Sequence, residues 1–234
     1  MKKEKVGSIT ASSMALVVMF ATAWPAAAQD AKTKYPSIAP LDQYLMEDRN
    51  SEIRLARSAA PESISHDAEV LVLGRHGYET ASQGKNGFVC VVQRSWVAPT
   101  DDPEFWNPKL RAPMCLNAAA ARSFLPRMIK KTDLILAGRT KAQMMDAIVA
   151  AINKKELPEM EPGAMCYMMS KQGYVSDDDG HWHPHLMFFV SGTSPASWGA
   201  ELPGSPVMAL NDTWQRLTTF LVLVREWSDG TADR

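Results

Sequence analysis

Apolar residues recur at two periods along this chain, and the change from one to the other sketches the fold. Leu41, Tyr44, Leu45, Ile53 and Ala56 follow roughly helical spacing until Pro61 ends the pattern, which predicts one helix broken near Asn50. Residues 68–73 form a continuous apolar run of strand length. A turn region at 83–87 separates this run and its extension at 78–81 from a second strand at 88–96, and together they read as a hairpin. Residues 97–113 hold four prolines, Asp101, Asp102, Phe105 and Trp106 without a period, so they read as an irregular loop held by aromatics. Asn117 caps an alanine-rich helical turn through Leu125, and Pro126 suits the first position of another short helix. Thr140 with Gln143 fits a capping box. The helix it opens carries Met144, Met145, Ile148, Val149 and Ile152 as one apolar stripe, read as core rather than cofactor contact, and ends before Pro158. Runs at 164–170, 186–190 and 217–224 read as buried strands. The Ser-, Gly- and Pro-rich stretch 191–212 is longer than structureless loops usually run, which makes it a candidate lid. Helices gathered between strand runs predict a single α+β domain, a mostly antiparallel sheet with helices packed on it.

The first 28 residues stand apart. Lys2, Lys3 and Lys5 precede an apolar stretch at 14–23 and the small residues Ala26, Ala27 and Ala28 before Gln29, the three parts of a secretory signal peptide. Its apolar core is about ten residues, against the roughly 20 that a spanning helix needs. No cysteine at the cleavage point offers a lipid attachment, and no later run reaches spanning length. The expectation is a periplasmic or secreted protein without stable membrane insertion, with a signal peptide at 1–28, a flexible tail at 29–40 and one domain at 41–234. Cleavage leaves 22 Lys and Arg against 25 Asp and Glu, a net charge of −3. Dispersed charge of that sign has no electrostatic footprint for nucleic acid. Oligomeric state is not set by these features.

Export gives the three cysteines a meaning, because an oxidising compartment lets a pair bridge. Cys90 lies in a strand-like run and Cys115 closes the proline-rich excursion after it, so Cys90–Cys115 is the favoured disulfide over three reduced thiols. Closing that loop contributes about 3.5 kcal/mol in the chain-entropy model. Cys166, among Met165, Tyr167 and Met168, reads as a small buried apolar group.

Three of the five histidines, His181, His183 and His185, fall within five residues, behind the acidic run 177–179. Neutral imidazole is a common metal ligand and a general acid or base near neutral pH. On a strand, residues two apart share a face at roughly 6.5 Å, so His183 and His185 could reach one ion. A third ligand could come from His181 through a bend, from His66 or His76, or from Asp177 or Asp179. Pro184 suits an edge strand or the start of one. The bland alternative is a turn at 177–180 followed by two histidines in structural hydrogen bonds. No His-Glu-x-x-His signature, glycine-rich phosphate loop or nucleophile elbow is present.

Six tryptophans follow the leader, and Trp106, Trp182 and Trp198 fall in expected loops, where such rings line ligand sites or pack under long loops. A pocket joining one of these rings to His183 and His185 favours a ligand site; three rings buried separately favour packing. The stretches 55–61, 86–96, 111–115, 166–171 and 183–189 resemble those of a group of exported bacterial proteins of unknown function. That resemblance implies one exported domain and carries no activity or catalytic residue. Gly74-Arg75-His76-Gly77 after an apolar run also resembles the signature of histidine phosphatases, in which the histidine accepts the phosphoryl group. That signature opens a helix, whereas this chain continues towards a hairpin. Two readings remain: a non-catalytic domain that binds a small ligand through His183, His185, Trp182 and Trp198 or a divalent metal such as zinc through His183, His185 and His181, and a metal- or histidine-dependent hydrolase. A carboxylate or arginine beside a histidine in a cleft is the mark of the second.

Overall fold

The computed structural model describes residues 34–178, 182–200 and 202–233. The leader at 1–28, Asp179 and His181 lie outside these residues. One sheet organises the rest. Its strands are β1 (Glu69–Gly74), β2 (Gly77–Ser82), β3 (Val89–Gln93), β4 (Ala112–Leu116), β5 (Met165–Met168), β6 (His185–Ser191), β7 (Val207–Asp212) and β8 (Leu217–Leu223), in the order β2-β1-β3-β4-β5-β6-β8-β7. Every neighbouring pair is antiparallel except β1 with β3. The helices are α1 (Arg49–Arg57), α2 (Glu62–Ser65), α3 (Ala118–Ser123), α4 (Leu125–Leu136) and α5 (Lys141–Asn153). The α+β reading of the sequence holds.

Three details depart from the sequence reading. The hairpin joins β1 to β2 through the two-residue turn Arg75-His76, and β3 returns alongside β1 in parallel. The returning chain crosses the start of β1 at Gly84, where a Cβ would lie 2.2 Å from the Glu69 amide nitrogen, so only glycine fits. Next, the segment before Pro61 breaks near Asn50 as read, where the Asp48 carboxylate accepts the Asn50 and Ser51 amides, both at 3.0 Å, to start α1, but its first part is only a 3-10 turn at Leu41–Gln43. Last, 191–212 is not a lid-length irregular loop, because β7 occupies its end. This strand carries apolar side chains on an exposed edge, with Met208 and Leu210 in solvent, and so lacks the alternation that marks a half-buried strand. The Asn117 cap and the Thr140–Gln143 capping box form as expected.

Strand alternation divides the core in two. Val70, Val72, Cys90, Val92 and Cys115 face Leu55 and Ala56 of α1. Leu71, Val91, Met114 and Leu116 face the other way, towards Met128 and Ile135 of α4 and Met144 and Ile148 of α5. Cys90 and Cys115 are directly opposed on β3 and β4 and are bonded, while Cys166 is buried on the opposite face as a free thiol. At the end of β3 the fully buried Arg94 reaches three elements. Its Nη2 donates to Glu52 at 2.9 Å, its Nε to the Tyr44 carbonyl at 2.7 Å and its Nη1 to the Val92 carbonyl at 2.7 Å. Glu52 also accepts the Leu73 amide, tying α1 to β1. Among the described residues no helix is long and apolar enough to cross a membrane.

Candidate functional site

The histidine region meets the sheet where β6 begins. Pro184 has no amide hydrogen to donate, and its carbonyl accepts the Val224 amide at 2.9 Å just outside the β6–β8 ladder. His185, the first residue of β6, points with Met187 and Phe189 to the helix-bearing face, while Phe188 points to the other. Trp182 folds back over this start. Its Nε1 donates to the Ser170 carbonyl at 2.7 Å, and its ring meets His185 edge-on at 5.5 Å. The ring lies against Gly173 so closely that a Cβ there would sit 2.2 Å from it.

These residues wall a cleft of about 470 Å³. Trp182, His183 and His185 form one side, Met187, Leu221 and Leu223 the floor, and Ala98, Pro99 and Asp102 of the proline-rich loop the far side. Of the three loop rings, Trp182 alone reaches it. Trp106 is buried in the core against Phe105, and its carbonyl accepts the Tyr44 hydroxyl. Trp198, which the sequence places in the same site, stacks on Phe220 at 4.2 Å on the other face of the sheet, where alternation along β6 and β8 puts Phe188 and Phe220.

His183 and His185 have different surroundings. His185 is 7% exposed, and its Nδ1 donates to the His183 carbonyl at 2.7 Å. That bond assigns the ring proton to Nδ1 and leaves the lone pair on Nε2, which is buried without a hydrogen-bond partner among the described residues. Burial lowers the proton affinity of His185, against the bond to the His183 carbonyl, so the ring stays neutral below the usual histidine range. The His183 ring stands half-exposed at the mouth, with Nδ1 2.6 Å from Asp233 Oδ2.

The other candidate ligands lie elsewhere. His66 contacts Asp67 on the surface, and His76 sits exposed in the β1–β2 turn, where Arg75 pairs with Asp42 at 2.6 Å. Asp177 is taken up by Lys34, Tyr35, Tyr174 and Lys109, and these donors, Lys34 foremost, hold its carboxyl far below the ordinary range. Lys34 and Tyr35, within the expected N-terminal tail, thereby anchor the loop that contributes Val175 to the cleft. Among the described residues no group of three or more His, Cys, Asp or Glu side chains is placed to hold a metal.

Sequence reasoning missed Asp102 and Asp233, and a lysine farther along the same face. A cavity of about 70 Å³ adjoins the cleft and shares Gln93, Ala98, Pro99 and Met187 with it. It is lined by Phe189, Asp212, Gln215 and Lys131 of α4. Lys131 is 3% exposed, with its ammonium 5.2 Å from the centre of the Trp214 ring. Burial pushes this ammonium down to about 8, with Asp212 acting against the shift and Arg127 adding to it. The signal was available in the spacing of Met128, Lys131 and Ile135, which sets a lysine on the buried stripe of a helix.

Comparison with protein-family models, with curated proteins and with solved structures finds no match to this chain.

Proposed function

We propose that this chain is an exported binding domain for a small, mainly apolar ligand, held in the cleft beneath Trp182. The observation that carries the reading is the buried, neutral His185, whose Nε2 lacks a partner in a wall otherwise built from Met168, Met187, Leu221 and Trp182. An unpaired buried acceptor costs about 1–3 kcal/mol, which a ligand hydroxyl or amide donating to Nε2 recovers. The volume suits a molecule of ordinary small-ligand size. Asp102, His183 and His185 supply its titratable groups, so a neutral ligand fits better than an anion. The signal peptide, the Cys90–Cys115 bridge and the resemblance to exported bacterial proteins support the location.

Fluorescence titration with the neutral dye Nile red tests the cleft. The wild type should bind it saturably, and Leu221→Arg, which sets a charge on the floor, should weaken binding at least tenfold. Phenol should compete better than toluene on the wild type and lose that advantage in His185→Leu. Because His185 resists protonation, the advantage should persist as pH falls through 6.5. Equal dye binding by wild type and Leu221→Arg would remove the cleft from consideration.

One contact favours hydrolysis as a second reading. Asp233 beside His183 at the mouth of the cleft is the base-and-orienter arrangement of general-base catalysis. Ester hydrolysis lost in both His183→Ala and Asp233→Asn, with dye binding retained, would establish it. A zinc site built on His183, His185 and His181 calls instead for stoichiometric uptake by calorimetry, abolished by His183→Ala and by His185→Ala.

A further inference from the structure

The small cavity at the end of the cleft holds a group that ligand binding at His185 does not use. A primary amine is buried there on α4 with neither a hydrogen bond nor an ion pair among the described residues, and the Trp214 indole Nε1 nearby is a second buried donor without an acceptor. Burial alone does not give a lysine a task, since its stem packs well along apolar surface. A stem of that kind carries its ammonium out to water, whereas Lys131 ends against a cavity that also holds the Asp212 carboxylate. We propose that Lys131 is an imine-forming site, and that the ligand class of the cleft is a neutral aldehyde or ketone whose carbonyl carbon reaches this amine.

The step balances without an added oxidant or reductant. The neutral amine of Lys131 adds its lone pair to the carbonyl carbon, forming the C–N bond as the C=O π pair moves to oxygen. Asp212 takes a proton from the nitrogen and passes it to the alkoxide, giving a carbinolamine; a second proton, drawn from solvent, then lets the hydroxyl leave as water, and a protonated C=N bond remains. Hydrolysis reverses each step. Geometry favours a carbonyl compound over an anion, because Asp212 lies in the same wall and would repel a carboxylate or phosphate. Desolvation also keeps the amine nucleophilic: near pH 7 about a tenth of it is neutral, against about one part in three thousand for an exposed lysine. His185 and Phe189, four residues apart on β6, are separated by about 13 Å, so a ligand of modest length could present a donor to His185 and its carbonyl to Lys131. This assignment rests on the cleft reading only for the ligand's body; the amine's reactivity stands apart from it.

Two aldehydes separate those parts. Full-length processed protein is treated at pH 7 with limiting propanal and cyanoborohydride, which reduces the imine to a stable alkylated amine, and is then peptide-mapped. Propanal is short enough to react without occupying the cleft. Among the lysines, Lys131 should carry most of the label at less than one adduct per chain, on the order of a hundredfold above exposed Lys154 and Lys155, and Lys131→Met should lose that adduct alone. Label spread evenly over surface lysines in the wild type would overturn the proposal, whatever the variant does. Decanal, whose chain requires the cleft, should label Lys131 in the wild type and fail in Leu221→Arg while propanal still succeeds. Decanal labelling that survives Leu221→Arg would keep the amine site and remove the cleft as its approach.

Discussion

From β1 to β4 the sheet is covered on both faces, by α1 on one and by α4 and α5 on the other, and its strands are bridged by Cys90–Cys115 and pinned by Arg94 with Glu52. From β6 to β7 the same sheet continues with one end uncovered. Leu221 is partly exposed, Leu223 and Met208 are about half exposed, and the cleft opens between them and the proline-rich loop. Both halves are apolar, so hydrophobicity does not separate them; the presence of a covering helix does. In the closed half the Arg94–Glu52 pair is completed by partners from other elements, while the Ser95 hydroxyl and Arg57 Nε are buried without one among the described residues. In the open half His185 Nε2 is buried without a partner, and where the two halves meet Lys131 of α4 lines the small cavity with its ammonium against the Trp214 ring. Buried polar groups left unsatisfied are costly to a fold, and under the proposed reading the one in the cleft, His185, is the one a ligand completes.

That contrast can be broken at three points. Arg94→Met strands the Glu52 carboxylate in a fully buried position, and urea denaturation should show a loss of about 4 kcal/mol. A loss below about 1 kcal/mol would mean that the closed half does not depend on its ion pair. Lys131→Met should do the reverse. Its ammonium titrates near 8 in the folded chain and at 10.5 in the reference state, so the folded state binds its proton less well than the unfolded one. The resulting penalty is full below pH 8 and fades as pH rises from 8 towards 10.5. Substitution by an apolar side chain of similar length should therefore raise stability at pH 7 by about 2 kcal/mol, and by much less at pH 10, measured as the difference from wild type at each pH. A gain that is equal at both pH values would assign the effect to packing. Met208→Ser on the exposed edge should change stability by less than about 0.5 kcal/mol. A larger loss would show that the open half is as tightly built as the closed one.

What the sequence disclosed follows the same division. Local signals survived intact, as with the Asn117 cap, the Thr140–Gln143 capping box and the Met144–Ile148 stripe, because each is decided by residues within one turn of helix. The pairing of β1 with β3 was not legible, since a two-residue turn at Arg75-His76 competes with the longer turn at 83–87 and only the tertiary partner selects between them. At the site, Trp182, His183 and His185 came together as their proximity in sequence suggested, whereas Trp198 was lost to the opposite face by strand alternation. Asp233 lies 50 residues from His183, a separation over which spacing carries no information.

The placement of the three cysteines also governs the order in which this chain can mature. Thiol–disulfide exchange requires a thiolate to reach a sulfur, and in the folded protein Cys166 lies across the sheet from the bridge, with burial raising its thiol well above the ordinary range. A chain that first joins Cys166 to the wrong partner must therefore reshuffle before β5 pairs with β4. Once that ladder closes, the sheet itself separates the competing thiol from the bond, and internal exchange between them stops.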